Sequence, residues 1–172
     1  MKNPARILFL AAFSLFVVAS VFAQNGTFSD PSVEYTFDLP EPSWKMTVKP
    51  STTSPNVEYV YNDRRDAHLE VRKLAITKND ILADVIRDEE SKLQFRPGFV
   101  SGKEENFAGN YRGTVFNFEY VQAGRNMSGR FYFLNAGDNA VYVLRFTGER
   151  DKLKSIRNQT DSIARTFQLK RG

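Results

Sequence analysis

Three long runs of strand-forming residues constrain the fold more than any other feature of the chain. The runs lie at 111–122, 128–135 and 140–147. The two segments between them, 123–126 and 136–139, carry Gly and Asn where a tight turn needs a positive φ. Long strands that are joined by short turns pair with their neighbours in sequence. We therefore predict an antiparallel meander at the centre of the domain.

Alternation along these strands predicts two different faces of the sheet, because successive side chains point to opposite sides. The predicted aromatic face comprises Phe116, Phe118, Tyr120, Phe131, Phe133, Tyr142, Leu144 and Phe146. A face of this size needs a covering helix. The predicted charged face includes Glu119, Arg130 and Arg145, which form either a cross-strand ion network or a site for an anionic ligand. If the protein binds a partner or an anion, we expect it to bind on this charged face.

The remaining segments predict shorter strands and two helices. Extended runs occur at 33–39, 44–48, 57–61 and 67–76. Helical spacing of apolar residues predicts one helix at about 80–95, capped by Asn79 or Asp80, and another at 149–164. In the first helix the stripe is interrupted only by Glu89, and we expect Asp88, Glu89 and Glu90 to face water. The chain is therefore expected to have an α+β fold.

The N-terminus has the layout of a secretory signal peptide at residues 1–23. Lys2 and Arg6 provide a basic start, and an uncharged run then ends at Val21-Phe22-Ala23 with small residues at the two recognised positions. We predict cleavage after Ala23 and an exported protein, periplasmic or extracellular, with no membrane span after cleavage. The alternative is a retained membrane anchor, because the uncharged run is at the short limit of what crosses a bilayer.

The sequence after the predicted cleavage point is expected to form one domain. Residues 24–32 are polar and include Gly and Pro, so we predict a flexible leader there. The single domain is expected to span 33–169. Basic and acidic residues are interleaved along it, with no dense basic stripe, which argues against nucleic acid as a partner.

Composition excludes several kinds of chemistry. The chain has no cysteine and one histidine, so it contains neither disulfides, a cysteine nucleophile nor a multi-histidine metal site. It also lacks the motifs of a serine nucleophile and of phosphate-binding glycine loops. We expect no catalytic residues, no metal and no cofactor.

One polar constellation remains as an alternative. Asp66, His68 and Glu70 occupy alternate positions of a predicted strand, so all three share one face. This spacing permits a metal site or a general acid–base pair. The same spacing is also typical of an exposed polar strand face on which Arg72 neutralises the charge of Glu70. The alternative function is therefore a small-ligand-binding or enzymatic module that uses His68, Glu70 and Arg72.

Two short phrases resemble the PsbP-like superfamily, which includes the photosystem II extrinsic protein, a Ran-binding import factor and exported bacterial proteins. The first is Tyr35-Thr36-Phe37-Asp38-Leu39-Pro40 followed by Trp44, and the second is Asp161-Ser162-Ile163-Ala164-Arg165-Thr166-Phe167. The resemblance implies an α/β/α sandwich around a central antiparallel sheet. It also implies binding rather than catalysis, since members act as accessory proteins, assembly factors or chaperones. It carries over no site residue. We therefore expect an exported, non-catalytic domain that binds a protein partner.

Overall fold

The computed structural model describes residues 26–77, 79–137 and 139–170. The predicted signal peptide at 1–23 lies outside the described residues. The strands are β1 Gly26–Ser29, β2 Tyr35–Leu39, β3 Trp44–Val48, β4 Val57–Tyr61, β5 Ala67–Ala75, β6 Val100–Ala108, β7 Arg112–Gln122, β8 Arg125–Asn135, β9 Ala140–Glu149 and β10 Gln168–Leu169. The helices are α1 Leu82–Leu93, α2 Arg150–Ser155 and α3 Arg157–Thr166. None of these helices has the length and apolar character that a bilayer crossing requires.

The strands form a large sheet and a small one. The seven-stranded sheet has the order β3-β4-β5-β9-β8-β7-β6, and all neighbouring strands are antiparallel. The predicted meander β7-β8-β9 lies within it and is confirmed. A two-residue turn joins β7 to β8, with positive φ at Ala123 and Gly124, as a tight hairpin requires. The three-stranded sheet has the order β1-β2-β10.

The large sheet is covered on both sides, as the predicted sandwich requires. On one side, the α1 face, Phe118 and Phe133 pack in one cluster with Ile86 and Leu93 of α1. On the other side, the α3 face, residues of the large sheet pack in one cluster with α2, α3 and the small sheet. Tyr132 of β8 belongs to this cluster. The α+β class and the helical layers are confirmed.

The predicted assignment of β9 to the two faces is wrong. The structure places three apolar residues of this strand on the α3 face: Tyr142, Leu144 and Phe146. The register shows why, since Tyr132 lies opposite Leu144 and Phe131 lies opposite Arg145. Because both faces of this sheet are buried, β9 is apolar on both sides, and alternation alone does not indicate which set faces which layer.

The prediction of a flexible leader at 24–32 is wrong for the part that the structure describes. Gly26–Ser29 forms β1 and pairs with β2. Phe28 is 3% exposed, and its ring centroid lies 4.8 Å from that of Phe37. Burial of this aromatic ring and pairing with the edge of β2 that β10 leaves open together order the segment.

The helices also differ from their predicted forms. The predicted helix at 149–164 is divided into α2 and α3, because Ile156 has φ −105° and ψ 19° and leaves the helical conformation. Helix α1 begins after Ile81 without a side-chain cap. The carboxylate of Asp80 instead accepts a hydrogen bond from the backbone N–H of Thr77 at 2.7 Å.

Candidate functional site

An open groove of about 830 Å³ lies on the α1 face, beside α1 and over the strands that this helix does not cover. We call it the basic groove. Its basic residues are Arg64, Arg65, Arg72, Lys92, Arg96, Arg125 and Arg145. Its acidic residues are Glu58, Glu70, Glu89 and Glu149. The seven arginine and lysine side chains outnumber the four carboxylates by three.

A row of alternating charges crosses the floor of the groove from β5 to α1, in the order Arg72, Glu70, Arg145, Glu89, Lys92. We call it the charge ladder. Arg72 Nη2 lies 2.6 Å from Glu70 Oε1, and Arg145 Nη1 lies 3.5 Å from Glu70 Oε2. Arg145 also contacts Glu89, and Lys92 Nζ lies 2.7 Å from the other oxygen of Glu89. Each carboxylate of the ladder therefore contacts two basic side chains.

Arg145 is the central member of the ladder and is mostly buried. Its side chain is 13% exposed, and its guanidinium carbon lies 5.4 Å from the centre of the Phe131 ring. Burial lowers the pKa of Arg145, and the nearby charge of Arg72 lowers it further. Its Nε atom is buried and has no hydrogen-bond partner among the described residues. The two carboxylates beside it are therefore what stabilise this buried cation.

Glu89 explains the interruption of the apolar stripe in α1. The prediction that this residue faces water is wrong, since Glu89 is 4% exposed. It occupies the buried side of the helix because its carboxylate binds Arg145 of β9. The ladder thus joins α1 to the sheet by an ion pair as well as by apolar contacts.

The predicted trio of Asp66, His68 and Glu70 does not form one site. His68 Nε2 lies 2.8 Å from Glu58 Oε2, and the same oxygen lies 3.6 Å from Arg64. Glu70 belongs to the ladder, whereas Asp66 accepts a hydrogen bond from Asn62 at 3.4 Å. Within the ranges that the structure covers, no three His, Asp or Glu side chains are arranged to hold a metal ion.

The predicted grouping of Glu119, Arg130 and Arg145 is also wrong. Arg130 lies on the α3 face, on the opposite side of the sheet from Arg145. Glu119 pairs with Arg150 at 3.6 Å, and its side chain is 53% exposed. The three residues therefore form neither a common network nor a common anion site.

Arg130 is part of a buried network that attaches α3 to the sheet. Its Nε donates to Tyr132 Oη at 2.7 Å, its Nη1 donates to Asn117 at 2.7 Å, and its Nη2 donates to Asp161 at 2.9 Å. Tyr132 Oη also lies 2.9 Å from Thr160 Oγ1. These contacts satisfy the guanidinium internally, so Arg130 has a structural role.

The structure therefore brings four of the six predicted site residues together on one groove: His68, Glu70, Arg72 and Arg145. Sequence reasoning missed Glu58 and Glu89. The signal for Glu58 is the hairpin register, which places it opposite Glu70. The signal for Glu89 is the charged residue at a core position of an amphipathic helix.

An exposed aromatic residue directly precedes a residue of the groove lining in the sequence. Phe95 follows α1 and is 90% exposed. The next residue, Arg96, lines the groove, and its guanidinium carbon lies 4.6 Å from the centre of the Tyr120 ring. The groove lining itself is partly apolar, through Leu93, Met127 and Phe131.

Comparisons with known proteins show the fold of this chain. No protein-family model and no curated protein sequence matches it. Among solved structures, the Ran-binding protein Mog1p of Saccharomyces cerevisiae aligns with a TM-score of 0.61 at 10% identity, over 86% of this chain and 96% of that one.

Two further structures are similar. LpqN of Mycobacterium tuberculosis, which is involved in cell envelope biogenesis, aligns with a TM-score of 0.58 at 18% identity, over 86% of this chain and 91% of that one. The cyanobacterial PsbP of Synechocystis aligns with a TM-score of 0.57 at 13% identity, over 88% of this chain and 95% of that one. The chain therefore has the fold shared by PsbP, Mog1p and LpqN.

Proposed function

We propose that this chain is an exported, non-catalytic accessory domain that binds a protein partner in the basic groove. The observation that carries the proposal is the form of the groove, which is wide, open and basic and has the exposed Phe95 directly before its lining residue Arg96. Arginine and aromatic side chains are enriched where proteins bind one another.

The arrangement of polar groups favours a protein segment over a small ligand. A small-ligand site is concave and encloses its ligand, with a few polar groups converging on one point. Here the floor carboxylates are already engaged: Glu58 contacts His68, and Glu70 contacts Arg72. The cations Arg64 and Lys92 are largely exposed, so a partner can reach them.

One of the structural neighbours is a protein-binding protein, which supports a binding role. Mog1p is a Ran-binding protein, so this fold supports protein recognition in at least one case. Export is supported by the basic start and the uncharged run at 1–23. N-terminal sequencing of the exported protein is expected to begin at Gln24, and a membrane-bound chain that retains residues 1–23 would contradict this.

Site-specific photo-cross-linking in the native envelope tests partner binding. A photoreactive amino acid replaces Phe95, the exposed neighbour of the groove residue Arg96, or, as the control, Met46 on the edge strand β3. Met46 is also an exposed apolar side chain but does not line the groove. The adduct is identified by mass spectrometry, and the identified protein is then titrated against the purified domain by calorimetry.

We expect one discrete protein adduct from position 95, absent from position 46, and direct binding of that protein in the titration. Adducts from position 46 alone would place binding elsewhere. Stoichiometric zinc in the purified protein that is lost in His68→Ala would contradict the non-catalytic proposal and support the enzymatic alternative. We expect His68→Ala to leave the metal content unchanged.

A further inference from the structure

We infer that the basic groove binds an acidic segment of the partner protein, and that Arg64, Lys92 and Arg96 contact its carboxylates directly. This inference rests on the proposed function of the groove and adds the chemistry of what the groove recognises.

The distribution of charge in the groove supports an acidic ligand. Glu70 and Glu89 each contact two cations of the charge ladder, and Glu58 lies 3.6 Å from Arg64 and 2.8 Å from the His68 ring. Among the residues that line the groove, the arginine and lysine side chains outnumber the carboxylates by three; one of them, Arg65, pairs with Asp63 outside the lining. An acidic ligand adds carboxylates where the cations outnumber their partners, whereas a basic ligand would compete for carboxylates that are already occupied.

Three cations of the groove are exposed to a ligand. Arg64 contacts Glu58 and Lys92 contacts Glu89, yet their side chains remain 68% and 67% exposed. Arg96 is exposed, and no carboxylate of the described residues lies within 4.0 Å of it. Its guanidinium lies over the Tyr120 ring, which limits its mobility before binding. A cation that is already oriented loses less entropy when it binds a carboxylate.

The floor of the groove favours a protein segment over a dense polyanion. Four carboxylates line the groove among the seven cations, so a polyphosphate or nucleic acid would place phosphates against fixed negative charges. A peptide with spaced Glu or Asp residues can place its carboxylates at the exposed cations and avoid the floor. The exposed ring of Phe95 offers the same segment an apolar contact.

Fluorescence anisotropy with a defined probe tests the inference. The probe is a short fluorescein-labelled peptide in which Glu and Ala alternate, and the matched peptide has Lys in place of Glu. Both are titrated with the mature domain at rising NaCl concentrations. We expect the Glu peptide alone to bind, and salt to weaken its binding because ions screen exposed charges.

Charge reversal locates the contact. We expect Arg96→Glu and Arg64→Glu each to raise the Kd of the Glu peptide about tenfold, because an attraction becomes a repulsion. The control is Arg112→Glu, an identical change at the exposed start of β7, at the opposite end of that strand from the groove residue Tyr120. We expect it to change the Kd by less than about twofold. Circular dichroism verifies that all variants are folded.

Three results would overturn the inference: no binding of the Glu peptide, equal effects of the groove and control variants, or tighter binding of tripolyphosphate than of the Glu peptide. If photo-cross-linking finds a partner at Phe95 while the Glu peptide does not bind, the proposed function stands and the acidic chemistry is refuted. If no position in the groove forms an adduct, the proposed function fails as well.

Discussion

Replacement of Glu89 by Gln tests whether the charge ladder holds α1 on the sheet. The substitution keeps the shape of the side chain and removes its charge, which leaves the buried cation of Arg145 with one carboxylate fewer. Removal of one partner from a fully buried ion pair costs about 3–5 kcal/mol. Arg145 keeps Glu70 at 3.5 Å, and Lys92 is mostly exposed to solvent. We therefore expect a smaller loss of about 2–3 kcal/mol in the free energy of unfolding.

Urea unfolding at neutral pH measures this loss, with the fluorescence of the sole tryptophan, the buried Trp44, as one probe and circular dichroism as the other. The matched control is Glu119→Gln, because Glu119 is exposed and pairs with Arg150 at 3.6 Å. We expect the control to lose less than about 0.5 kcal/mol.

A double-mutant cycle distinguishes loss of the ion pair from a general disturbance of α1. In the double variant of Glu89→Gln and Arg145→Met, no buried cation is left without its partner. We expect the two changes to be non-additive, with a coupling energy of about 1–2 kcal/mol. If Glu89→Gln costs no more than the Glu119 control, or if the two changes are additive, the ladder does not stabilise the attachment of α1.

Three further predictions concern the core, the α3 face and pH. Phe133→Ala removes a fully buried ring under α1, and we expect a loss of about 3–5 kcal/mol in urea unfolding; a loss below about 1 kcal/mol would contradict this packing. Arg130→Glu is expected to unfold the domain, because it replaces the donor of a buried network with a repelling acid; a native circular dichroism spectrum with unchanged melting would contradict this. Burial acts to raise the pKa of Glu34, but hydrogen bonds from Lys73 and Tyr142 outweigh it and lower the pKa from 4.5 to about 2. Because the pKa of Glu34 is lower in the folded state, its contribution to stability is complete above pH 4.5 and is lost as the pH falls towards 2. Glu34→Gln is therefore expected to lose less stability than the wild type on acidification in this range. Melting temperatures that shift equally with pH in both proteins would contradict this.

Most of the strands could be predicted from sequence because their signals are local. β3 and β4 have the predicted bounds, and β5 ends one residue before the predicted Ile76. Alternating residues between Gly-containing and Asn-containing turns specify a meander without knowledge of distant contacts. β10 carries no such signal, since it pairs with β2 across a large separation in the chain. β1 is adjacent to β2 in the chain but is polar apart from Phe28, so it has no alternating apolar pattern.

The residues of the candidate site were predicted in part, and the errors have one cause. His68, Glu70 and Arg72 share a face because they alternate on one strand, which is a local property. Arg145 and Arg130 were assigned to the same face, but the pairing of β8 with β9 places them on opposite sides. A shift of one residue in strand register moves every side chain to the other face, and a strand that is apolar on both sides does not reveal its register.

Periodicity and composition are enough to predict the α+β class, the central meander and the absence of cysteine-based or multi-histidine chemistry. Which charges meet depends on the tertiary structure. Glu89 of α1 joins Arg145 of β9 through the placement of the helix, and Arg145 lies beside Glu70 of β5 through the strand order. The physical reason is that a buried charge requires a partner from whichever element packs against it, and that element is set by the packing of the whole domain rather than by neighbours in the chain.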